Sequence, residues 1–357
     1  MKDLLYSEIE DDLRAGVREL LDDKAQWTGV LAGVEKDDPY DTALWQALAQ
    51  MGVTGLPVPE DLGGAGATWR ETAVVMEELG RAVAPVPFLG SAVLGAAALL
   101  AAGDRDLLPQ VASGERIAVL AVPLGTAPGA PVGGTVRADD GTLTGEVAGV
   151  ADGQAADVLL VPASGALYAV DAADAARTPV ISLDMTRRLC DLSFAAAPAR
   201  LVAEGDGTVR AALSTGAAML ASEQLGLAGR CLDTTVEYLK TRYQFGRPVG
   251  SYQGLKHRLA DLWTAVAEVR AVARYAASCV ADDDADAPVA VAVAQAHCSP
   301  IAVKAAEECV QMHGGIGFTW EHPAHLYLKR AKSAAIALGT ADHHRAALAD
   351  LVDLPPA

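Results

Sequence analysis

The first part of the chain, to about residue 115, has apolar residues at every third or fourth position. The clearest examples are Leu13, Val17, Leu20 and Leu21, followed by Leu44, Leu48 and Met51. This spacing collects apolar side chains on one face of a helix, so it predicts a helical segment over 1–115. Thr68 stands three residues before Glu71, which predicts a capping box at the start of one of these helices.

The pattern changes between residues 116 and 203. Short runs rich in Val, Ile and Leu, such as IAVLAVPL and ADVLLVPA, are separated there by Gly, Pro and Asp. Runs of this kind predict strands. We expect six to eight strands in an antiparallel sandwich or barrel.

Helical spacing returns at residue 204 and continues to 357. We expect a long helix over about 208–243, then a second that Ser251 caps and that ends near 280. Pro288 begins a third, which ends at the glycine pair 314–315. Two shorter helices follow, over about 322–338 and 340–351. Because the connections are short, these helices are expected to form an antiparallel bundle.

Together these patterns predict an α+β multidomain fold. It consists of an N-terminal helical domain (1–115), a central antiparallel β domain (116–203) and a C-terminal domain of the four-helix-bundle type (204–357).

Charge and composition narrow the possible functions. With 28 Lys and Arg against 46 Asp and Glu, the net charge is −18, which argues against general binding of nucleic acid or of an anionic membrane. The longest apolar run, 90–103, is short for a membrane span and is typical of a buried helix. The start of the chain does not have the pattern of a secretory signal, and the five cysteines form no CxxC pair. We therefore expect a cytoplasmic protein with reduced thiols.

Chemistry-bearing residues concentrate in the stretch RYQFGRPVGSYQ, at 242–253. The planar guanidinium of Arg242 suits two pyrophosphate oxygens, Phe245 offers a flat apolar face, and Gln253 adds an amide donor and acceptor. The stretch predicts a site for a phosphate-bearing ligand. The alternative interpretation of Arg242 is a surface ion pair.

A second stretch, QMHGGIGF, begins at Gln311. It places an amide beside Gly314 and Gly315, where a ligand can approach the backbone because no side chain intervenes. The alternative interpretation of this glycine pair is an ordinary helix cap.

These motifs resemble those of the acyl-CoA dehydrogenase family. RYQFGRPVGSYQGLKHRLAD is similar to the family's R-x-x-F-G-x-P-x-x-x-F-Q-x-x-x-x-x-L-A-D, with Tyr252 in place of the usual Phe. QMHGGIGFTWEHP resembles Q-x-x-G-G-x-G-F-x-x-E-x-P, and PVPEDLGG and EELGRA are similar to the N-terminal helical domain. The resemblance covers almost the whole chain. It implies α,β-desaturation of an acyl-CoA thioester with FAD.

In this family the two C-terminal motifs hold the ADP half of FAD across a dimer interface, and the flavin itself is seated in the neighbouring subunit. The resemblance therefore implies a set of FAD-binding residues in this chain. They are Arg242, Gln244, Phe245, Gln253, Gln311, Gly314, Gly315 and Thr340. An electron-transfer flavoprotein is the implied electron acceptor.

The segments that seat a subunit's own flavin depart from the family. Where relatives have a loop of the type E/N-P-x-x-G-S-D, residues 122–127 read VPLGTA. Where they have G-x-K-x-W-I-T-N, residues 145–152 read GEVAGVAD, so Gly149 replaces the Trp that packs on the flavin and Ala151 replaces the Thr that bonds its ring. An aromatic face and a hydroxyl are lost.

The catalytic carboxylate is missing from both positions that the family uses. Most relatives have Glu immediately before Gly-Thr near the C-terminus, where this chain has Leu338. Isovaleryl-type relatives have it on the long helix, at the position of Gly216. Glu223 lies two turns further along that helix and is the remaining candidate, although it requires a different helix register.

What the chain retains serves a neighbour's FAD, and what it lacks would serve its own. The leading hypothesis is therefore that the chain is one subunit of a heteromeric, α2β2 acyl-CoA dehydrogenase. In that assembly it would contact the ADP half of an FAD bound by a catalytic partner of the same fold. Resemblance to actinobacterial members implies CoA thioesters of bulky substrates, including steroid side chains. Two alternatives remain open: a self-sufficient homo-oligomeric dehydrogenase with a displaced base, and a flavin-free acyl-CoA-binding or scaffold protein.

Overall fold

Helices form the first part of the protein in the computed structural model, which describes residues 4–38 and 40–354. The α-helices of this part are α1 (Glu8–Lys24), α2 (Trp27–Val34), α3 (Thr42–Gln50), α4 (Trp69–Ala82), α5 (Ala96–Ala102) and α6 (Leu108–Ala112). A π-helical segment, Phe88–Gly95, leads into α5 and buries the apolar run that the sequence assigned to a core helix. The capping box is confirmed at the start of α4. The Thr68 side chain accepts a hydrogen bond from the backbone N–H of Glu71, and the Glu71 side chain accepts one from the backbone N–H of Thr68.

Two predictions for this part were incomplete or wrong. Helix α2 was not predicted, since its sequence WTGVLAGV has few polar residues to define a face. Met51 was counted among the core positions of α3. It lies just beyond the helix and its side chain is 41% exposed.

The strands form two four-stranded sheets. They are β1 (Ala118–Leu120), β2 (Val136–Asp139), β3 (Thr142–Ala151), β4 (Val158–Ala163), β5 (Ala166–Asp171), β6 (Ala176–Val180), β7 (Leu189–Pro198) and β8 (Arg200–Glu204). The strand orders are β1-β4-β5-β8 and β2-β3-β7-β6. The prediction of an entirely antiparallel β domain was wrong in one place, because β1 pairs with β4 in parallel. The chain leaves the first sheet after β1, forms β2 and β3 in the other sheet, and returns in its original direction.

The C-terminal part is a bundle of long helices. It comprises α7 (Gly207–Thr241), α8 (Gln253–Ala281), α9 (Ala287–His313), α10 (Ala324–Ala334) and α11 (Ala341–Leu351). Proline in the first turn of α9 and Gly314 at its end, with φ 64°, confirm the predicted limits of that helix. A short hairpin, β9 (Tyr243–Gln244) and β10 (Arg247–Pro248), joins α7 to α8.

The predicted cap of α8 was wrong. The N-cap position belongs to Tyr252, which makes no capping hydrogen bond through its side chain. Ser251 lies in a 3₁₀ turn, Val249–Ser251. The hairpin, which was not predicted, and this turn include the residues immediately before α8. The helix therefore begins at Gln253, later than a cap at Ser251 would place it.

The N-terminal helices pack directly on the bundle. At the crossing of α4 and α7, a Cβ atom on Gly80 would overlap the carbonyl oxygen of Glu223, and one on Gly226 would overlap that of Glu77. The two helix backbones are therefore in contact. All five cysteines are buried free thiols, as predicted. We retain 115/116 and 203/204 as proposed domain boundaries.

One segment in the described chain, Ala287–Phe318, is long and apolar enough to span a membrane. Its most apolar stretch is 61% buried among the other helices. This burial is typical of the core helix of a bundle.

Candidate functional site

Gly216 and Leu338, the two positions at which the family resemblance predicts a catalytic carboxylate, meet in the structure. Gly216 lies on α7, and a Cβ atom there would be 3.1 Å from Leu338 Cδ1 and would overlap Leu94 Cδ2. Leu94 and Leu338 are 8% and 2% exposed. Apolar side chains therefore occupy the place where either type of relative would carry its base.

Leu338 is held firmly in this position. Its backbone has φ 53°, a left-handed conformation that is unfavourable for leucine by roughly 1 kcal/mol. Its N–H donates to the carbonyl oxygen of Leu124 at 2.8 Å. The carbonyl oxygen of Leu338 lies 2.9 Å from Nε2 of buried His344. These contacts bind the loop before α11 to the β domain.

The two segments that would seat the flavin ring also contact each other. The N–H of Leu124 donates to the carbonyl oxygen of Gly149 at 3.0 Å, and Pro123 forms a β-bridge with Val150. The cavity left between these segments and Leu338 has a volume of about 20 Å³. That volume accommodates about one water molecule. The three-ring system of a flavin does not fit there.

Glu223, the remaining candidate base, is buried in an ion-pair network. Its Oε2 accepts hydrogen bonds from Arg187 Nη2 at 2.5 Å and Arg330 Nη1 at 3.3 Å. Arg330 Nε also lies 2.7 Å from Asp184 Oδ2. Burial alone would raise the pKa of Glu223, but Arg187 and Arg330 hold it below its ordinary value. A carboxylate held by two guanidinium groups accepts a proton poorly, so its position indicates a structural role.

Asp152, at the end of β3, lies at the edge of this network and lines the 20 Å³ cavity. Burial raises its pKa to about 6, although Arg187 and Arg330 oppose the rise. No sequence motif points to this residue. Its partners come from the β6–β7 connection and from α10, and such contacts leave no signal in local sequence.

The first motif predicted to bind phosphate, at 242–253, lies at the solvent-exposed end of α7. Arg242 is the C-cap of that helix, and Gln244 and Gln253 are also exposed. Phe245 and Gly246, with φ 53° and 76°, form the turn of the β9–β10 hairpin. The Phe245 side chain is 91% exposed, so the hairpin holds its ring away from the rest of the chain.

The second motif lies at the end of α9. Gln311, Gly314 and Gly315 are exposed, and a Cβ atom on either glycine would meet no atom within 4 Å. Buried His313 stacks on Tyr238, with 4.4 Å between the ring centroids. Because Tyr238 precedes Arg242 by one helical turn, this stack brings the two motifs to the same end of the bundle.

Thr340 belongs to a different segment from the other predicted FAD-binding residues. It is the N-cap of α11 and accepts a hydrogen bond from the backbone N–H of His343. It follows Leu338, which lines the 20 Å³ cavity, by two residues.

Both motifs expose large apolar side chains. Phe318 is 79% exposed, Tyr243 62% and Trp320 54%, beside Phe245 on the hairpin. Large exposed aromatic side chains are typical of a surface that another molecule covers.

Comparison with known proteins identifies the family of the chain. The model of the acyl-CoA dehydrogenase N-terminal domain matches residues 7–115, and that of the C-terminal domain matches 203–352. Acyl-CoA dehydrogenase IpdE2 of Mycobacterium tuberculosis is 39% identical over 90% of this chain and 91% of its own length.

Two solved structures are similar over almost the whole chain. A chain of the ChsE4–ChsE5 complex of Mycobacterium tuberculosis is 31% identical, with a TM-score of 0.90 and complete coverage of both chains. The Tcur3481–Tcur3483 steroid ACAD, as its G363A variant, is 33% identical with a TM-score of 0.86, over 97% of this chain and 98% of that one. With the matched domains and the relative above, these similarities show that the chain belongs to the acyl-CoA dehydrogenase family.

Proposed function

We propose that this chain is the subunit of a heteromeric acyl-CoA dehydrogenase that lacks a flavin-ring site of its own. It binds the ADP half of an FAD whose ring is seated in a catalytic partner of the same fold. The observation that carries this proposal is the contact of Gly216 with Leu94 and Leu338, where a base would have to stand.

The exposed motifs are suited to the ADP half of the cofactor. Arg242 offers a planar, permanently charged group to pyrophosphate oxygens. Gly314 and Gly315 leave open space beside Gln311 for close approach to the backbone. When FAD is bound in the assembly, it supplies the acceptor for the hydride that leaves the β-carbon of the acyl thioester. This chain contributes binding and orientation.

The partner is proposed to be a second dehydrogenase-fold subunit. Two similar structures are named for pairs of proteins, ChsE4–ChsE5 and Tcur3481–Tcur3483. The exposed rings of Tyr243, Phe245, Phe318 and Trp320 provide an apolar surface for such a subunit. An α2β2 assembly would bury this surface twice by symmetry.

The substrate is proposed to be the CoA thioester of a bulky acyl group. One similar structure is described as a steroid ACAD, which supports a steroid side chain. Because the cavity beside Leu338 measures about 20 Å³, we place the acyl group in the partner subunit. We further propose an electron-transfer flavoprotein as the electron acceptor and, from the five buried free thiols, a cytoplasmic location.

A self-sufficient enzyme that uses Glu223 is less well supported. Its carboxylate is 3% exposed and bound by two arginines, so no substrate carbon can reach it without opening the network. A flavin-free scaffold protein fits the filled ring site but leaves the exposed Arg242 and the open glycines without a purpose.

Flavin stoichiometry tests the proposal. The chain and its partner are purified separately and as a mixture, and the flavin absorbance near 450 nm is compared with protein concentration. We expect no flavin in the chain alone, and one FAD per pair with acyl-CoA turnover in the complex. Stoichiometric FAD and turnover in the chain alone would overturn the proposal. A pair that assembles without flavin or activity would favour the scaffold.

A further inference from the structure

A second cavity, of about 210 Å³, lies where α1, α4, α7 and α10 surround the start of α2. We call it the arginine cavity and define it by its polar and aromatic lining residues. These are Arg18, Asp22, Gln26, Trp27, Glu78, Arg81, Arg230 and Tyr327. None of them lines the filled cavity at Leu338 or belongs to the ADP motifs. The proposed function leaves the arginine cavity without a role.

The three arginines differ in how their charge is balanced. Arg18 forms two hydrogen bonds to buried Glu78, at 2.6 and 2.8 Å. Arg81 Nη1 lies 3.0 Å from Asp233 Oδ2. Arg230 has no carboxylate partner among the described residues, and its one hydrogen bond joins Nε to the Tyr327 hydroxyl at 3.3 Å. Both terminal nitrogens of Arg230 therefore remain available as donors.

Tyr327 supplies a further donor to the same space. Its side chain is 3% exposed, and its hydroxyl oxygen already accepts from Arg230. In the part of the chain that the structure describes, the hydroxyl proton has no acceptor. A buried donor without an acceptor is rare, and this one lines a cavity large enough for a ligand.

The start of α2 adds backbone donors at the cavity wall. Gln26 is the N-cap and makes no capping hydrogen bond through its side chain. Its carbonyl oxygen accepts from Gly29 and Val30, whereas the N–H groups of Trp27 and Thr28 have no partner among the described residues. An uncapped helix N-terminus carries partial positive charge and favours an anion.

We propose that the arginine cavity binds a phosphate monoester. Its donors come from α2, α7 and α10, so they surround the space on several sides, as the oxygens of a tetrahedral phosphate require. The cavity is larger than a phosphate group, and Trp27 offers an apolar face to the organic part. Asp22 is an exposed residue of α1 that also lines the cavity. Because its negative charge would repel a second anionic group, we expect a ligand whose negative charge is confined to the phosphate.

Isothermal titration at constant ionic strength tests this site in the full chain. The probes are inorganic phosphate and phenyl phosphate. We expect saturable binding of one equivalent per chain, with phenyl phosphate the tighter. The dissociation constant should rise about tenfold or more in Arg230→Gln, the ratio expected for loss of a charge-assisted hydrogen bond. Arg210→Gln is the matched control, because Arg210 is an exposed arginine on the same helix.

Two further variants make the result decisive. Tyr327→Phe removes only the hydroxyl and should also weaken binding, so it provides the answer if Arg230→Gln does not fold. Arg242→Gln removes the charge of the ADP motif and should leave this binding unchanged. Failure of wild type to bind either probe would overturn the proposal, as would equal affinity in Arg230→Gln and Arg210→Gln. Loss of binding in Arg242→Gln, or weaker binding of phenyl phosphate than of inorganic phosphate, would also contradict it.

Discussion

Leu338 lies against Gly216, so that a Cβ atom on the glycine would be 3.1 Å from Leu338 Cδ1. The two residues belong to the loop before α11 and to the middle of α7. The family resemblance predicts a catalytic carboxylate at one or the other of these positions. In this chain they fill the space together with Leu94.

Restoring a carboxylate at one position is not expected to restore catalysis. Leu338→Glu places an acid among apolar side chains, so its pKa should rise and its ionised form should destabilise the fold. Unfolding in urea should show a loss of about 3 kcal/mol at pH 8 and a smaller loss at pH 5, where more of the acid is neutral. Leu338→Met should cost less than about 1.5 kcal/mol. Flavin binding and acyl-CoA turnover by purified Leu338→Glu would show that the ring site is open.

The contact between Gly216 and Leu94 can be tested by a double-mutant cycle. Gly216→Ala should destabilise the chain by about 1–2 kcal/mol, because overlap with Leu94 outweighs the gain in helix propensity. In the Leu94→Ala background the same change should be neutral or stabilising, since the space is then empty. Urea unfolding of the four proteins gives the coupling energy. A coupling close to zero would mean that the two residues do not compete for this space.

Glu223 should contribute to stability and not to proton transfer. Glu223→Gln leaves Arg187 and Arg330 buried with less negative charge around them, which should cost about 3 kcal/mol at pH 7. Since the folded-state pKa of Glu223 is lowered, its contribution is present above the unfolded pKa and is lost as the pH falls through the folded value. The difference between wild type and Glu223→Gln should therefore shrink below about pH 4. An undiminished difference in acid would argue against the ion pairs as its source.

Asp152 should show the opposite dependence on pH. Its folded pKa, raised to about 6, lies above the unfolded value, so wild type loses stability as the pH rises through this interval. Asp152→Asn removes this penalty and should stabilise the chain by about 1–2 kcal/mol at pH 8, with little effect at pH 4. Glu146→Gln on β3 is the control. Equal effects of Asp152→Asn at both pH values would show that charge burial is not the cause.

Local patterns were sufficient for the main features of the fold. Periodicity predicted α7 and α9, and the capping box at Thr68 was correct because its hydrogen bonds join residues three apart. The parallel pairing of β1 with β4 was missed, since a strand's partner depends on the path of the intervening chain. Ser251 was assigned as a cap because the hairpin before α8 was not recognised from two-residue strands.

The candidate site was predictable where its parts lie close in sequence. The two motifs proposed to bind ADP were recognised from short runs of residues, but the stack of His313 on Tyr238 that joins them was not. The sequence also indicated that Gly216 and Leu338 occupy the positions at which a catalytic carboxylate was expected. That their neighbours close the space, and that Glu223 is bound to arginines from two other segments, follows from tertiary packing alone.

In the proposed complex, this chain contacts the ADP half of an FAD whose flavin ring lies in the partner subunit. The direct test is the dissociation constant for FAD of the purified heteromeric complex with Arg242→Ala in this chain, against Arg210→Ala as the control. We expect FAD to bind about tenfold or more weakly in Arg242→Ala and unchanged in Arg210→Ala, with the assembly intact. An Arg242→Ala complex that holds FAD as tightly as wild type would contradict the account.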